Sequence, residues 1–168
     1  EDSVADAAAS CLRAAGERAI DPVASTFRAG SERGIARATR VLADLYPASR
    51  AVICEALVDQ SAAIRLRALE LLAGQSDASD APAIAERLGD DAEPVRVAAA
   101  KALARLGSVE SVPALLVGLD DDTPSSAAAR HAAVVAIGAP AVPALLTALE
   151  TAGWSRECRA AQIARALG

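Results

Sequence analysis

Few residues in this chain are of a type that does chemistry, and their spacing narrows them further. The 168 residues contain one His, His131, and three Cys, Cys11, Cys54 and Cys158, far apart and without a CxxC spacing. No Cys or carboxylate stands three or four residues from His131, so a helix-borne ligand pair cannot form around it. That imidazole reads as a solvated or core-edge side chain. An odd number of thiols is a poor basis for a disulfide framework, and the three read as reduced Cys packed like small apolar residues. Asp90-Asp91 and Asp120-Asp121-Asp122 could suggest Ca²⁺, but neither run carries the Gly and terminal Glu of a calcium loop. Ahead of a helix such carboxylates cap it and favour its positive dipole end. The phosphate, dinucleotide and nucleophile-elbow motifs G-x-x-x-x-G-K-S/T, G-x-G-x-x-G and G-x-S-x-G do not occur. No catalytic residue, metal ligand or cofactor is therefore expected. A deeply buried carboxylate in a pocket beside Trp154 or Tyr46 would revive an enzyme reading.

The elements that could position anything else are helices. The chain is 53% hydrophobic and only 2% aromatic, lacks Met, and carries a net charge of -5. Its apolar mass is largely Ala, followed by Leu and Val, a composition suited to closely packed helices rather than to β-branched and aromatic strands. Gly16, Gly74, Gly107, Gly138 and Gly168 each close an Ala-rich apolar run, most of them about thirty residues apart. Val95, Ala99, Ala102, Leu103 and Leu106 fall on one helix face, and Gly107 suits the left-handed position after a helix. Between these runs recurs Val112-Pro113-Ala114-Leu115-Leu116, seen again as Val142-Pro143-Ala144-Leu145-Leu146 and, more loosely, around Pro82 and Pro22. Proline fits the first helical turn, and Asp21, Ser111 and Thr123 are expected to cap the helices that follow them.

This pattern gives eleven short helices. The glycine-closed B type is expected over residues 2–15, 32–45, 61–73, 93–106, 124–137 and 154–167. The proline-containing A type is expected over 19–29, 47–58, 79–88, 110–119 and 140–151. No single pair can bury its own apolar face, so the pairs must stack. The expected fold is an all-α solenoid of about five helical hairpins plus an extra N-terminal helix, one domain spanning residues 1–168. Because it opens on an unpaired B-type helix, the natural protein is expected to extend beyond at least one end.

The run Leu88-Gly89-Asp90-Asp91-Ala92-Glu93-Pro94-Val95-Arg96-Val97, continuing to Leu106-Gly107, resembles a HEAT repeat of the short type found in phycobilisome lyases. The resemblance implies a structural ladder in which Asp90 or Asp91 with Arg96, and Arg65 after Ile64, bond neighbouring repeats. Ala127 and Glu157 stand at the arginine position of later repeats, so a continuous ladder is not expected. The resemblance also places the B helices on the concave face. Two equivalent columns then line a groove: Ser10, Arg40, Glu70, Lys101, Ala132 and Gln162, and beside it Asp6, Ala36, Leu66, Val97, Ala128 and Cys158.

Thirteen of the 17 basic residues lie on the expected B helices, whereas most of the 22 acids lie on A helices and loops. The groove is a shallow trough of scattered charge suited to a peptide or helix, with Arg40, Leu66, Glu70, Val97, Lys101 and Arg105 as candidate partner-binding residues. Overall acidity and the lack of aromatics for stacking disfavour nucleic acid. The expected function is a non-enzymatic protein-interaction scaffold. The alternative is an enzyme or enzyme subunit, of the phycobilin lyase and chromophore-chaperone type or like the HEAT-fold DNA-base glycosylases. HEAT-type iron hydroxylases need His-Glu pairs that are absent here.

From Ala132 to Leu149 no residue is charged, which reaches the lower limit of a membrane span. Gly138, Pro140 and Pro143 break the stretch, so a buried helical hairpin is expected instead of insertion. The first residues carry no basic and apolar leader, and a cytoplasmic location is expected.

Overall fold

The computed structural model of the chain describes residues 2–75, 77–117 and 123–151. Among them are ten α-helices, several short 3-10 turns and no strand, so the fold is all-α. The B-type helices are α1 (Asp2–Ala15), α3 (Glu32–Asp44), α5 (Ala62–Gln75), α7 (Glu93–Leu106) and α9 (Pro124–Ile137). The A-type helices are α2 (Ile20–Ala29), α4 (Arg50–Ala56), α6 (Ala81–Glu86), α8 (Val112–Leu116) and α10 (Val142–Thr151). The expected final helix, 154–167, lies outside the described residues.

The B helices keep their expected bounds within two residues, because glycine and an apolar face mark them together. Gly107 has φ 62° and ψ 28°, and the N–H of Ser108 donates back to Leu103 O at 3.4 Å. This left-handed residue satisfies carbonyls that the helix end leaves over. Gly74 does not close its helix as expected; α5 runs through it to Gln75.

The A helices are shorter than the pattern suggests and begin differently. Ahead of α2, α6, α8 and α10 stand the 3-10 turns Gly16–Ala19, Ala78–Asp80, Val109–Ser111 and Ala139–Ala141. Each winds the chain into its helix without a side-chain cap. Asp21 accordingly lies inside α2, and the Ser111 hydroxyl pairs with that of Ser108 at 2.9 Å instead of capping α8. Thr123 caps α9 as expected, its Oγ1 accepting from the Ser126 N–H at 3.4 Å; Ser31 does the same for α3 through Gly34 at 3.3 Å.

The chain forms two compact units, residues 1–75 and 76–168. In the first, α1 packs on α3 and α3 on α5, while α2 packs on α3 and α4. B helices thus stack on B helices and A on A, the two-layer arrangement of an α-solenoid. Phe27, Leu42, Ile53, Leu57, Leu69 and Leu72 fill its core. In the second unit α7 packs along α9, and α8 packs on α9 and α10. Its core is Ile84, Val95, Leu103, Val112 and Leu115, with Ala99, Ala100 and Ala102 buried on α7. Small side chains there let helix axes approach closely.

No single helix among the described residues is long and apolar enough to cross a membrane. The uncharged stretch folds as α9 and the start of α10, bent by 103° at Gly138, whose φ of 71° suits glycine. The break falls where its glycine and prolines put it, but the stretch is not buried as expected: Ala133, Val134, Ile137, Ala141 and Leu145 are buried, while Val135 and Leu146 are exposed.

Candidate functional site

The first groove column is solvent-exposed wherever it is described. Ser10 on α1, Arg40 on α3, Glu70 on α5, Lys101 on α7 and Ala132 on α9 are all exposed; Gln162 lies outside the described residues. In the second column Ala36 and Ala128 are exposed, while Leu66 and Val97 are half-buried, neither open strip nor core. Leu66 and Glu70 are four residues apart on α5, which packs beside the α3 that carries Arg40. Val97, Lys101 and Arg105 recur every four residues on α7, about 6 Å apart along its axis, with both cations exposed.

The ladder residues bond main chain within their own repeats. Arg65 Nη1 donates to the carbonyls of Asp59 and Gln60 at 2.9 and 3.1 Å. Arg96 Nη1 donates to those of Asp90 and Asp91 at 2.9 and 3.2 Å. Both Asp90 and Asp91 accept from the Ala92 N–H at 3.0 Å. These carboxylates fold the turn ahead of α7 and do not cap the helix as expected, because they bond the N–H of its N-cap residue Ala92 and no side chain caps α7. No group of three or more His, Cys, Asp or Glu among the described residues could hold a metal ion. Asp120-Asp121-Asp122 lies outside the described residues.

Arg130 is the site residue that the sequence pattern misplaced. With Ala127 at the ladder position, no arginine bridge was expected here. The guanidinium of Arg130, one turn further along α9 and only 5% exposed, donates to Ala114 O at 3.2 Å, to Val117 O at 2.9 Å and to Leu88 O. All three carbonyls lie at or near the C-terminal ends of A-type helices, where main-chain acceptors are left over and the dipole favours a cation. Arg130 thereby ties two successive repeats together.

A second feature that the sequence reading missed is a buried polar residue ahead of several A helices. Ser49, Asp80 and Ser111 stand immediately before α4, α6 and α8 and are all buried, Ser49 and Asp80 completely. Ser49 Oγ donates to Leu42 O at 2.6 Å, tying α4 back to the end of α3. Asp80 and Ser111 each stand two residues before a proline, Pro82 and Pro113, but α4 has no proline to mark Ser49 in the same way.

His131 is half-buried, and its Nε2 is enclosed without a hydrogen-bond partner among the described residues, a core-edge histidine as expected. Cys54 is half-buried but Cys11 is exposed, so the expectation of packed thiols fails for Cys11, which lies on the outer side of α1.

Two hollows open in the first unit. One, of about 200 Å³ and almost wholly apolar, lies where α1, α2 and α3 meet, with Arg37 on its wall. The other, of about 330 Å³ between α2 and α4, is of mixed character, bounded by Ala24, Val52, Asp21, Ser25 and the ion pair Arg28–Glu55 at 3.2 Å.

No characterised protein matches the chain in a search of curated sequences. The family model for HEAT repeats matches residues 50–138, more than half the chain and the stretch holding the Arg65, Arg96 and Arg130 clamps. The chain belongs to the HEAT-repeat family.

Proposed function

We propose that residues 1–168 act as a non-enzymatic scaffold that holds a protein or peptide partner on the exposed face of its B-type helices. One observation carries this reading: the same helical position is exposed on α1, α3, α5, α7 and α9, mixed in charge from repeat to repeat, beside a half-buried apolar position at Leu66 and Val97. Within each unit the B helices pack side by side, α1 on α3 on α5 and α7 on α9, and side chains that vary at this position suit recognition of a peptide or helix. The fold itself is commonly used for protein interaction. The repeat of about thirty residues supports the short, phycobilisome-lyase-like subtype. The exposed thiol of Cys11 is in keeping with a reducing, cytoplasmic setting.

Affinity capture from native lysate with the wild-type chain and with the double variant Leu66→Asp/Val97→Asp tests the reading. Loss of the captured partner with a nearly unchanged melting temperature is the expected result. A collapse in melting temperature would make both residues core and remove the groove.

A further inference from the structure

The exposed face of the second unit changes character from one B helix to the next. On α7, Lys101 and Arg105 stand four residues apart, about 6 Å along the axis, and both are exposed. Neither makes an ion pair or a hydrogen bond among the described residues. At the equivalent positions of α9, the helix packed along α7, stand Ala132 and Ala136, equally exposed. Ala128 and Val135 share that face and are exposed as well.

The two helices are net basic in a chain of net charge -5. From Pro94 to Leu106, and along the whole of α9, there is no carboxylate, whereas Arg96, Lys101, Arg105 and Arg130 lie there. Glu93 opens α7 eight residues before Lys101, about 12 Å away along the axis. Glu110 lies beyond the end of α7, in the turn that leads to α8, and pairs with neither cation. Two columns therefore run side by side, one cationic and one apolar, on helices whose axes pack about 8–10 Å apart.

We infer that this face seats a partner helix with carboxylates at four-residue spacing over Lys101 and Arg105, and larger aliphatic side chains on the adjoining flank over Ala128, Ala132, Val135 and Ala136. A helix presents two such columns next to each other, at the same step as α7 and α9 themselves. An extended peptide puts alternate side chains on opposite faces and cannot serve both columns at once. A phosphate backbone would find nothing to neutralise it along α9, and bases would find no aromatic ring to stack on. Charge selects the helix and its orientation, and the apolar flank holds it. The inference rests on the scaffold reading and names the chemistry of the partner.

The probes are labelled peptides held helical by a side-chain staple. One carries a Glu column at four-residue spacing beside a Leu column; a second has Lys for Glu; a third has Ser for Leu; a fourth keeps the composition but sets the columns on opposite faces. The first should bind the full chain at least about tenfold more tightly than the other three, and less tightly as salt is raised. Lys101→Glu/Arg105→Glu should reverse the order of the Glu and Lys peptides without moving the melting temperature. Ala132→Gln/Ala136→Gln should erase the advantage of Leu over Ser. Methyl NMR signals of Ala132 and Ala136 should shift with the Leu-bearing peptide and not with the Ser one.

Equal affinity for the Glu and Lys peptides overturns the inference, as does equal affinity for adjoining and opposed columns. So does a single-stranded oligonucleotide that binds where no peptide does and is released by Lys101→Glu/Arg105→Glu. Should either double variant melt early, the methyl shifts decide alone. A silent peptide panel, with partner capture lost in Leu66→Asp/Val97→Asp but kept in Lys101→Glu/Arg105→Glu, sinks the acidic helix and leaves the scaffold reading standing. Capture unchanged in both variants, at unchanged melting temperature, sinks the scaffold reading too.

Discussion

Arg65 and Arg96 make the same pair of hydrogen bonds one repeat apart, each to the carbonyls of the residues six and five positions before it. The turns match as well: Asp59 Oδ1 accepts from the Ser61 N–H at 2.8 Å just as Asp90 Oδ1 accepts from Ala92. A turn whose carbonyls have no helical partner is thus closed twice in the same way, by a carboxylate at its start and a guanidinium from the helix it leads into.

The two clamps differ in solvent access, and this sets their worth. Arg65 is 7% exposed, whereas Arg96 is half-buried. Water can replace the lost donor at Asp90 and Asp91 more readily than at Asp59 and Gln60. Arg65→Ala should therefore cost about 2–3 kcal/mol and Arg96→Ala about 1 kcal/mol by urea unfolding. Equal costs, or the reverse order, would mean that burial of the guanidinium does not govern these bonds.

Arg130 should be worth more than either. Its removal strands three main-chain acceptors from two repeats, in a place with little water to serve them. Arg130→Met keeps the bulk and removes the donors, and should cost about 3 kcal/mol or more; Arg130→Lys, with one ammonium for three carbonyls, should recover only part of it. A Met variant as stable as wild type would show that the bridge is incidental.

These arginines also mark how far the sequence could be read. Arg65 and Arg96 were found because they hold the same column, but column alignment cannot see Arg130. The physical requirement there is that a long side chain reach a set of carbonyls, and an arginine one turn along the same helix reaches another set as well. The B helices were legible for the opposite reason, since Gly107, Gly138 and an apolar face give redundant signals of where each ends. The starts of the A helices were not, because a 3-10 turn such as Val109–Ser111 needs no particular residue, and Ser111 looked like a cap that the turn had made unnecessary. The exposed column survived because a helix phase wrong by one residue would have buried Arg40, Glu70 and Lys101 together. The hollow beside Arg37 left no trace in the pattern, since Ala and Gly on facing helices more often mean close packing than space.

Ala99 tests the close-packing side of that distinction. It is fully buried on α7, the helix packed along α9. Ala99→Leu should overpack that seam and cost about 1–3 kcal/mol, read as a lower urea midpoint. An unchanged midpoint would mean that space exists there too.

Gly74 and Gly107 looked equivalent as helix-closing glycines, yet the same substitution should move stability in opposite directions at the two sites. A Cβ added at either position meets nothing within 4 Å, so packing does not separate them. The backbone does. Gly107 sits at φ 62°, where an L side chain crowds the following carbonyl, and Gly107→Ala should cost about 1 kcal/mol. Gly74 lies inside α5 without a left-handed φ, so Gly74→Ala should reduce the freedom of the unfolded chain, favour the helix and gain about 0.5–1 kcal/mol. Thermal melts of the two single variants and of the double variant check the pair. The double variant should lie near wild type, because the sites belong to different repeats and share no contact through a missing side chain. Destabilisation by Gly74→Ala would place the end of α5 before Gly74, where the apolar pattern first put it.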